Sequence, residues 1–208
     1  MLELPQAILF DFDGVLADTE PLHWRCWNEA LSPLGIAISW EDYRAHCIGI
    51  SDREFLEKLG RLANPPHEVD ELLPFYPLKK KLFQGESSRG GIVLEETWRC
   101  VNAVQNLPLA VVTSSAKQEI EPILQNAKLL RFMATVVYGD EVANLKPHPE
   151  PYLTAMKRLG VSSALVLEDS VAGIASAKAA GCEVMEIKDP REVAGRLRER
   201  LESLVHFR

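Results

Sequence analysis

A chain of 208 residues with 47% apolar content can bury a sizeable core, which argues against a disordered protein. Its net charge of −7 excludes general affinity for nucleic acid or anionic lipid, since both demand a basic surface, and leaves small anionic substrates possible where a pocket is locally positive. Four scattered cysteines (Cys26, Cys47, Cys100, Cys182) have no C-x-x-C or metal-ligand spacing, which suits core thiols in a reducing compartment. The opening MLELPQAILFDFDG is too acidic and its apolar run too short for a signal peptide. No run of about 18 apolar residues suggests a membrane span. The expectation is a cytoplasmic protein with no membrane or nucleic-acid partner.

The first apolar run, Ala7 to Phe10, reads as a buried strand that stops at Asp11, Phe12, Asp13 and Gly14. Residues i and i+2 of a strand share a side, so the two carboxylates converge where the glycine lets the chain turn. Residues 19 to 85 then carry helical patterns near 20–34, 40–47, 51–62 and 67–84 with no strand between them, and QGESSRGG at 84–91 reads as a linker. Beyond it, apolar runs at 109–112, 134–137, 164–167 and 184–187 alternate with helical patterns at 116–127, 149–159, 171–181 and 190–205. Such alternation predicts a parallel sheet covered on both faces. The expected fold is therefore α/β, a doubly wound parallel sheet formed by residues 1–15 and 88–208, with an inserted α-helical cap domain over 16–87.

Ligands of open parallel sheets bind at the carboxyl ends of the strands. Two carboxylates about 4 Å apart there repel by roughly 4 kcal/mol at an effective dielectric near 20, so Asp11 and Asp13 call for a cation between them. The other strand ends supply suitable groups. LAVVTSS offers the Thr113 hydroxyl and successive backbone N–H groups, with Thr113 also placed to cap the helix that follows. NLKPHPEPY fixes Lys146 ahead of backbone-restricting prolines. LVLEDS ends in Glu168 and Asp169, hard oxygen donors of the kind that Mg²⁺ prefers.

In this order the four stretches resemble the haloacid dehalogenase-like (HAD) hydrolase superfamily, and DFDGVLADTEPLH and LEDSVAGIASAKAAG resemble its β-phosphoglucomutase-like phosphatase subgroup with a helical cap. The resemblance implies a Rossmann-like core in which Asp11 is the nucleophile and Asp13 the general acid and base. It implies Mg²⁺ held by the Asp11 carboxylate, the Asp13 carbonyl and Asp169, with Glu168 an auxiliary ligand or a support behind them. Thr113, the Ser114 amide and Lys146 would neutralise the phosphoryl oxygens. In the cap, Thr19, His23 and Arg53 would face the acid/base or the substrate, whereas Trp24 and Trp27 read as helix packing and Lys79 to Lys81 as a solvated face.

CIGISDREFLEKL resembles the subgroup's specificity loop, but Asp52 stands where the mutases place an arginine on a distal phosphate, with Arg53 one residue later. An acid there disfavours a mutase. The resemblance thus implies a Mg²⁺-dependent phosphatase that hydrolyses a small phosphorylated metabolite, a sugar phosphate or phosphoglycolate, through an aspartyl-phosphate. A β-phosphoglucomutase-type isomerase is the alternative, and a non-enzymatic phospho-accepting switch is a third reading.

Overall fold

The computed structural model describes residues 4–48, 50, 52–87 and 89–205. Its contacts divide the chain into two units, one made of Met1–Asp18 with Gly90–Arg208 and the other of Thr19–Arg89. In the first unit, five short apolar runs become strands β1 (Ile8–Phe10), β2 (Leu109–Val112), β3 (Thr135–Val137), β4 (Leu165–Glu168) and β5 (Glu183–Glu186). All pair in parallel, in the order β3-β2-β1-β4-β5. Every residue of β1, β2 and β4 is buried, as expected of strands that carry helices on both faces.

The register aligns the strand ends. Phe10 lies opposite Val111 and Leu167, so Asp11 emerges beside Val112 and Glu168, the last residues of both neighbouring strands. A backbone bond of 3.0 Å from the Asp11 N–H to the Leu167 carbonyl fixes that emergence. The helices of this unit are α6 (Glu95–Ala103), α7 (Lys117–Asn126), α8 (Glu150–Leu159), α9 (Val171–Ala179) and α10 (Val193–Val205). Tyr152 and Ala155 of α8 and Ala177 of α9 join Leu9, Ala110, Val112 and Val166 of the sheet in one core. The more exposed edge strand β5 carries Glu183, which Arg200 of α10 grips through Nε at 2.7 Å and Nη2 at 2.8 Å.

The second unit is helical: α1 (Glu20–Leu31), α2 (Trp40–His46), α3 (Asp52–Leu62), α4 (Val69–Leu72) and α5 (Tyr76–Ser87). Helix α1 packs along α5, and Trp27, Leu31, Tyr43, Phe55, Leu56, Leu59 and Leu72 build the core. Each large apolar side chain buried in this way contributes about 1.5–3 kcal/mol. Trp27 stacks near Tyr76 and Phe55, so the packing role expected of it holds.

Two local expectations change. The single helix read over 67–84 is broken into α4, a 3-10 turn at Leu73–Phe75 and α5, because Pro74 at the start of that turn lacks an N–H to continue α4. The linker read at 84–91 is half helix, since α5 runs to Ser87 before Gly90 and Gly91 take positive φ of 83° and 88°. None of the described helices is long and apolar enough to cross a membrane. The cysteines form no disulfide.

Candidate active site

Asp11 leaves the end of β1 almost fully buried, and Asp13 follows half-buried in a tight turn. That turn is closed by Gly14 N–H donating to the Ala17 carbonyl at 2.9 Å and by the Leu16 and Ala17 N–H groups donating to Phe12. Gly14 has φ +72°, and a Cβ on it would lie 2.0 Å from Oδ2 of Asp169. Glycine is thus required twice there, for the turn and for the approach of a carboxylate from the end of β4.

Lys146 brings the strand ends together. Its Nζ donates to Oδ1 of Asp11 at 2.7 Å, to the Val112 carbonyl at the end of β2 at 3.0 Å and to Oε1 of Glu168 at 2.5 Å. The ammonium is buried, and burial alone would lower its pKa. The facing Asp11 and Glu168 carboxylates outweigh that and raise it, so the lysine stays charged. Burial also drives the Asp11 carboxyl well up from its ordinary range; Lys146 opposes this, and Glu168, Asp169 and Asp13 add to it. Asp169 is pushed up to about 7 by burial and by the charges of Glu168 and Asp13.

Glu168 is completely buried, with both oxygens occupied. Oε1 accepts from Lys146 and from the Tyr152 hydroxyl at 2.8 Å, while Oε2 accepts from the Asp169 N–H, the Ser170 N–H and the Ser170 hydroxyl at 3.0 to 3.1 Å. A Cβ on Gly173, in the first turn of α9, would fall 1.7 Å from Oε1, so the absence of a side chain makes room for this carboxylate. The geometry makes Glu168 an anchor for Lys146.

On the other side of Asp11, Thr113 is buried at the end of β2, where its hydroxyl accepts the Ser115 N–H at 3.1 Å. Thr113 is therefore not the N-cap expected of it: α7 starts later, with Ala116 as its N-cap and no capping side chain, because the Thr113 oxygen closes a turn two residues ahead. Ser114 is exposed at the tip of that turn. Its neighbour Ser115 directs a hydroxyl to Oδ2 of Asp13 at 3.3 Å. The sequence LAVVTSS carries both serines, and only folding distinguishes them.

The described part of the helical unit places the remaining candidates. Thr19 is fully buried just before α1, and its carbonyl accepts the N–H groups of Leu22 and His23. The His23 ring stacks on Phe83 with centroids 4.3 Å apart, and burial together with nearby Lys79 pushes its pKa down to about 3, against the opposing charge of Asp52. Arg53 sits on an exposed face, its Nε 3.3 Å from Glu57 one turn along α3. The Gly49 and Ser51 of the specificity-loop pattern lie outside the described residues.

Lys79 corrects an expectation. Rather than forming a solvated face with Lys80 and Lys81, it is buried between α5 and α1, with Nζ 3.0 and 3.2 Å from the two oxygens of Asp52 and 5.3 Å from the Trp27 ring centre. Trp27 Nε1 donates to the same Asp52 carboxylate at 2.9 Å. Asp52 serves the fold of its own unit, which is why an acid is tolerated there.

Against this geometry, residues 8–187 match the family model described as haloacid dehalogenase-like hydrolase. The chain belongs to the haloacid dehalogenase-like hydrolases. It is 31% identical over 180 residues to a protein of Thermotoga maritima named phosphorylated carbohydrates phosphatase, covering 86% of this chain and 82% of that protein. It is 30% identical over 201 residues to the phosphoglycolate phosphatase of Salmonella typhimurium, covering 85% and 79%. Among solved structures, CbbY from Rhodobacter sphaeroides in complex with phosphate is similar, with a TM-score of 0.69, 28% identity and coverage of 88% and 87%. The β-phosphoglucomutase of Clostridium difficile, at 20% identity and a TM-score of 0.70, shares the fold.

For a haloacid dehalogenase-like hydrolase the question of a metal is tested by its donor set. Asp11, Glu168 and Asp169 offer carboxylate oxygens within 4.8 Å of one another. Asp13 lies close enough to Asp169 to raise its pKa, and Lys146 is the ammonium that bonds this group. Hard oxygens with excess negative charge fit Mg²⁺. Glu168, committed to its five donors, fits as a support rather than a ligand.

Proposed function

We propose that this phosphatase hydrolyses a small phosphorylated metabolite, of the sugar-phosphate or phosphoglycolate type, with Mg²⁺ and through an aspartyl-phosphate on Asp11. The observation that carries the reading is the buried Lys146 bridge at 2.7 Å to Asp11, with Asp13 held two residues away by Ser115. A buried carboxylate against a fixed ammonium is a nucleophile stored beside the charge that its anionic target requires.

One carboxylate oxygen of Asp11 attacks phosphorus, and the bond from phosphorus to the leaving alcohol breaks. Asp13, in its protonated form, gives its proton to that alcohol. Asp13 then takes a proton from water as the water oxygen attacks the aspartyl-phosphate, which returns the Asp11 carboxylate and releases inorganic phosphate. Lys146, Thr113 and the backbone N–H of Ser114 receive the phosphoryl oxygens. The Asp11 and Asp169 carboxylates and the Asp13 carbonyl would hold Mg²⁺, which supplies neutralisation of the charge between nucleophile and phosphate.

The helical unit is assigned the choice of leaving group, with Thr19, His23 and Arg53 as its candidate residues. A β-phosphoglucomutase reading requires a cation for a second phosphate at position 52. Asp52, paired with Lys79, gives it no support.

Phosphate release from a panel of phosphorylated metabolites, measured with and without Mg²⁺, tests the reading with Asp11→Asn and Asp13→Asn proteins alongside. Mg²⁺-dependent release that Asp11→Asn abolishes is the expected result. Release that survives Asp11→Asn, or conversion of a hexose 1-phosphate to the 6-phosphate without free phosphate, would overturn it.

A further inference from the structure

An ammonium has three N–H donors, and Lys146 commits all three: to Asp11, to the Val112 carbonyl and to Glu168. It can reach a phosphoryl oxygen only by exchanging one of these bonds. The bond to Asp11 is the one that weakens when Asp11 attacks, because the carboxylate then gives up its charge to the new bond with phosphorus. The exchange works only if the other two bonds keep the ammonium in place. The Val112 carbonyl is fixed by the sheet. Glu168 is fixed by its other donors, and on Oε1, the oxygen that Lys146 shares, that donor is the Tyr152 hydroxyl.

Tyr152 is fully buried on α8, six residues after Lys146 in the chain. Its ring also lies beneath the ammonium, whose Nζ is 5.1 Å from the ring centre, within range of a cation–π attraction. Burial and the neighbouring Glu168 and Asp11 carboxylates hold the phenol protonated, so it remains a donor. One side chain thus touches both ends of the Lys146–Glu168 bond, from a helix that the proposed chemistry does not otherwise use.

We propose that Tyr152 is a positioning residue: by donating to Oε1 of Glu168 and lying under Lys146, it keeps the ammonium anchored while its third bond passes from Asp11 to the transferring phosphoryl group. This rests on the aspartyl-phosphate reading above. Without the phenol hydroxyl, Oε1 of Glu168 loses the donor that fixes its position, and the ammonium it anchors is no longer held in place as its third bond passes to the phosphoryl group.

The test compares Tyr152→Phe, which keeps the ring, with Glu168→Gln and the double variant, using phosphate release and the ¹⁵N NMR signal of the Lys146 ammonium. Tyr152→Phe is expected to lower kcat roughly tenfold, the effect of one hydrogen bond to a charged group, with KM and the half-saturating Mg²⁺ concentration unchanged and the Lys146 signal displaced. In the Glu168→Gln background the same change should lower kcat by less than about twofold, since Tyr152 acts through Glu168. Additive losses, or wild-type kcat with an unmoved Lys146 signal in folded Tyr152→Phe, would overturn the assignment. A fall in kcat matched by an equal fall in folded fraction would also do so. The NMR arm requires no turnover, so a wild-type protein that releases no phosphate refutes the aspartyl-phosphate reading and still leaves the Tyr152 contact to be judged.

Discussion

Lys146 Nζ stands 2.7 Å from Oδ1 of Asp11 although 135 residues separate the two in the chain, and both side chains are at least nine-tenths buried. Removing one partner of such a pair leaves the other charge buried and uncompensated, which typically destabilises by about 3–5 kcal/mol. Lys146→Met should therefore lower stability by about that amount and phosphate release by at least ~10²-fold. Urea denaturation and steady-state kinetics on the same preparation read both effects. A stable, fully active Lys146→Met protein would refute the role assigned to the bridge.

Gly173 offers a test of Glu168 that does not alter its chemistry. A methyl group at this position would overlap Oε1, whose displacement breaks the bonds to Lys146 and Tyr152. Gly173→Ala, at a helical position where alanine is otherwise favoured by about 1 kcal/mol, should instead destabilise by roughly 2 kcal/mol and lower the melting temperature by about 4–8 °C. Gly173→Ala that melts at or above the wild-type temperature would show that Glu168 tolerates displacement.

In the helical unit, Asp52→Ala removes the counter-charge of Lys79, whose side chain is 5% exposed while that of Asp52 is 34% exposed. The partial exposure of Asp52 discounts the loss to about 2 kcal/mol. Pairing Asp52→Ala with Lys79→Met should recover most of it, since no lone charge is then left among Trp27, Tyr76 and Phe83. Denaturation of the single and double variants measures the coupling, and equal stability of all four proteins would exclude it.

His23 sets an acid limit. Its folded-state pKa of about 3 lies below the ordinary 6.5, so the unfolded chain binds the proton first as pH falls. Stability from this group is complete above pH 6.5 and is lost between there and pH 3, with a slope approaching about 1.4 kcal/mol per pH unit. His23→Gln should flatten that part of the stability-against-pH curve. Superimposable curves for the two proteins would place His23 in water.

The strands and the acidic residues at their ends were legible in the sequence because both depend on local pattern: short apolar runs, i and i+2 carboxylates, and a glycine where the chain must turn. Lys146 was found because it precedes prolines in a stretch that follows the family's order. What escaped depends on which distant groups meet. Nothing near Lys79 announces a buried ammonium, since Asp52 and Trp27, which make its burial tolerable, are 27 and 52 positions away. Tyr152 was in plain view within NLKPHPEPY, yet its hydroxyl has meaning only beside Glu168. Thr113 was misread as a helix cap because a hydroxyl ahead of a helix serves a turn as readily as a cap.

The strand order has a consequence for biosynthesis. β1 is central, and its neighbours β2 and β4 begin at Leu109 and Leu165. During synthesis Ile8, Leu9 and Phe10 come before both strands that flank them, and the second of these is made only after more than 150 further residues. The helical segment between them is contiguous, and its partners emerge together. The strand that leads into Asp11 must therefore wait, apolar and unpaired, while the whole helical segment is translated, and the demand for chaperone protection falls on that stretch.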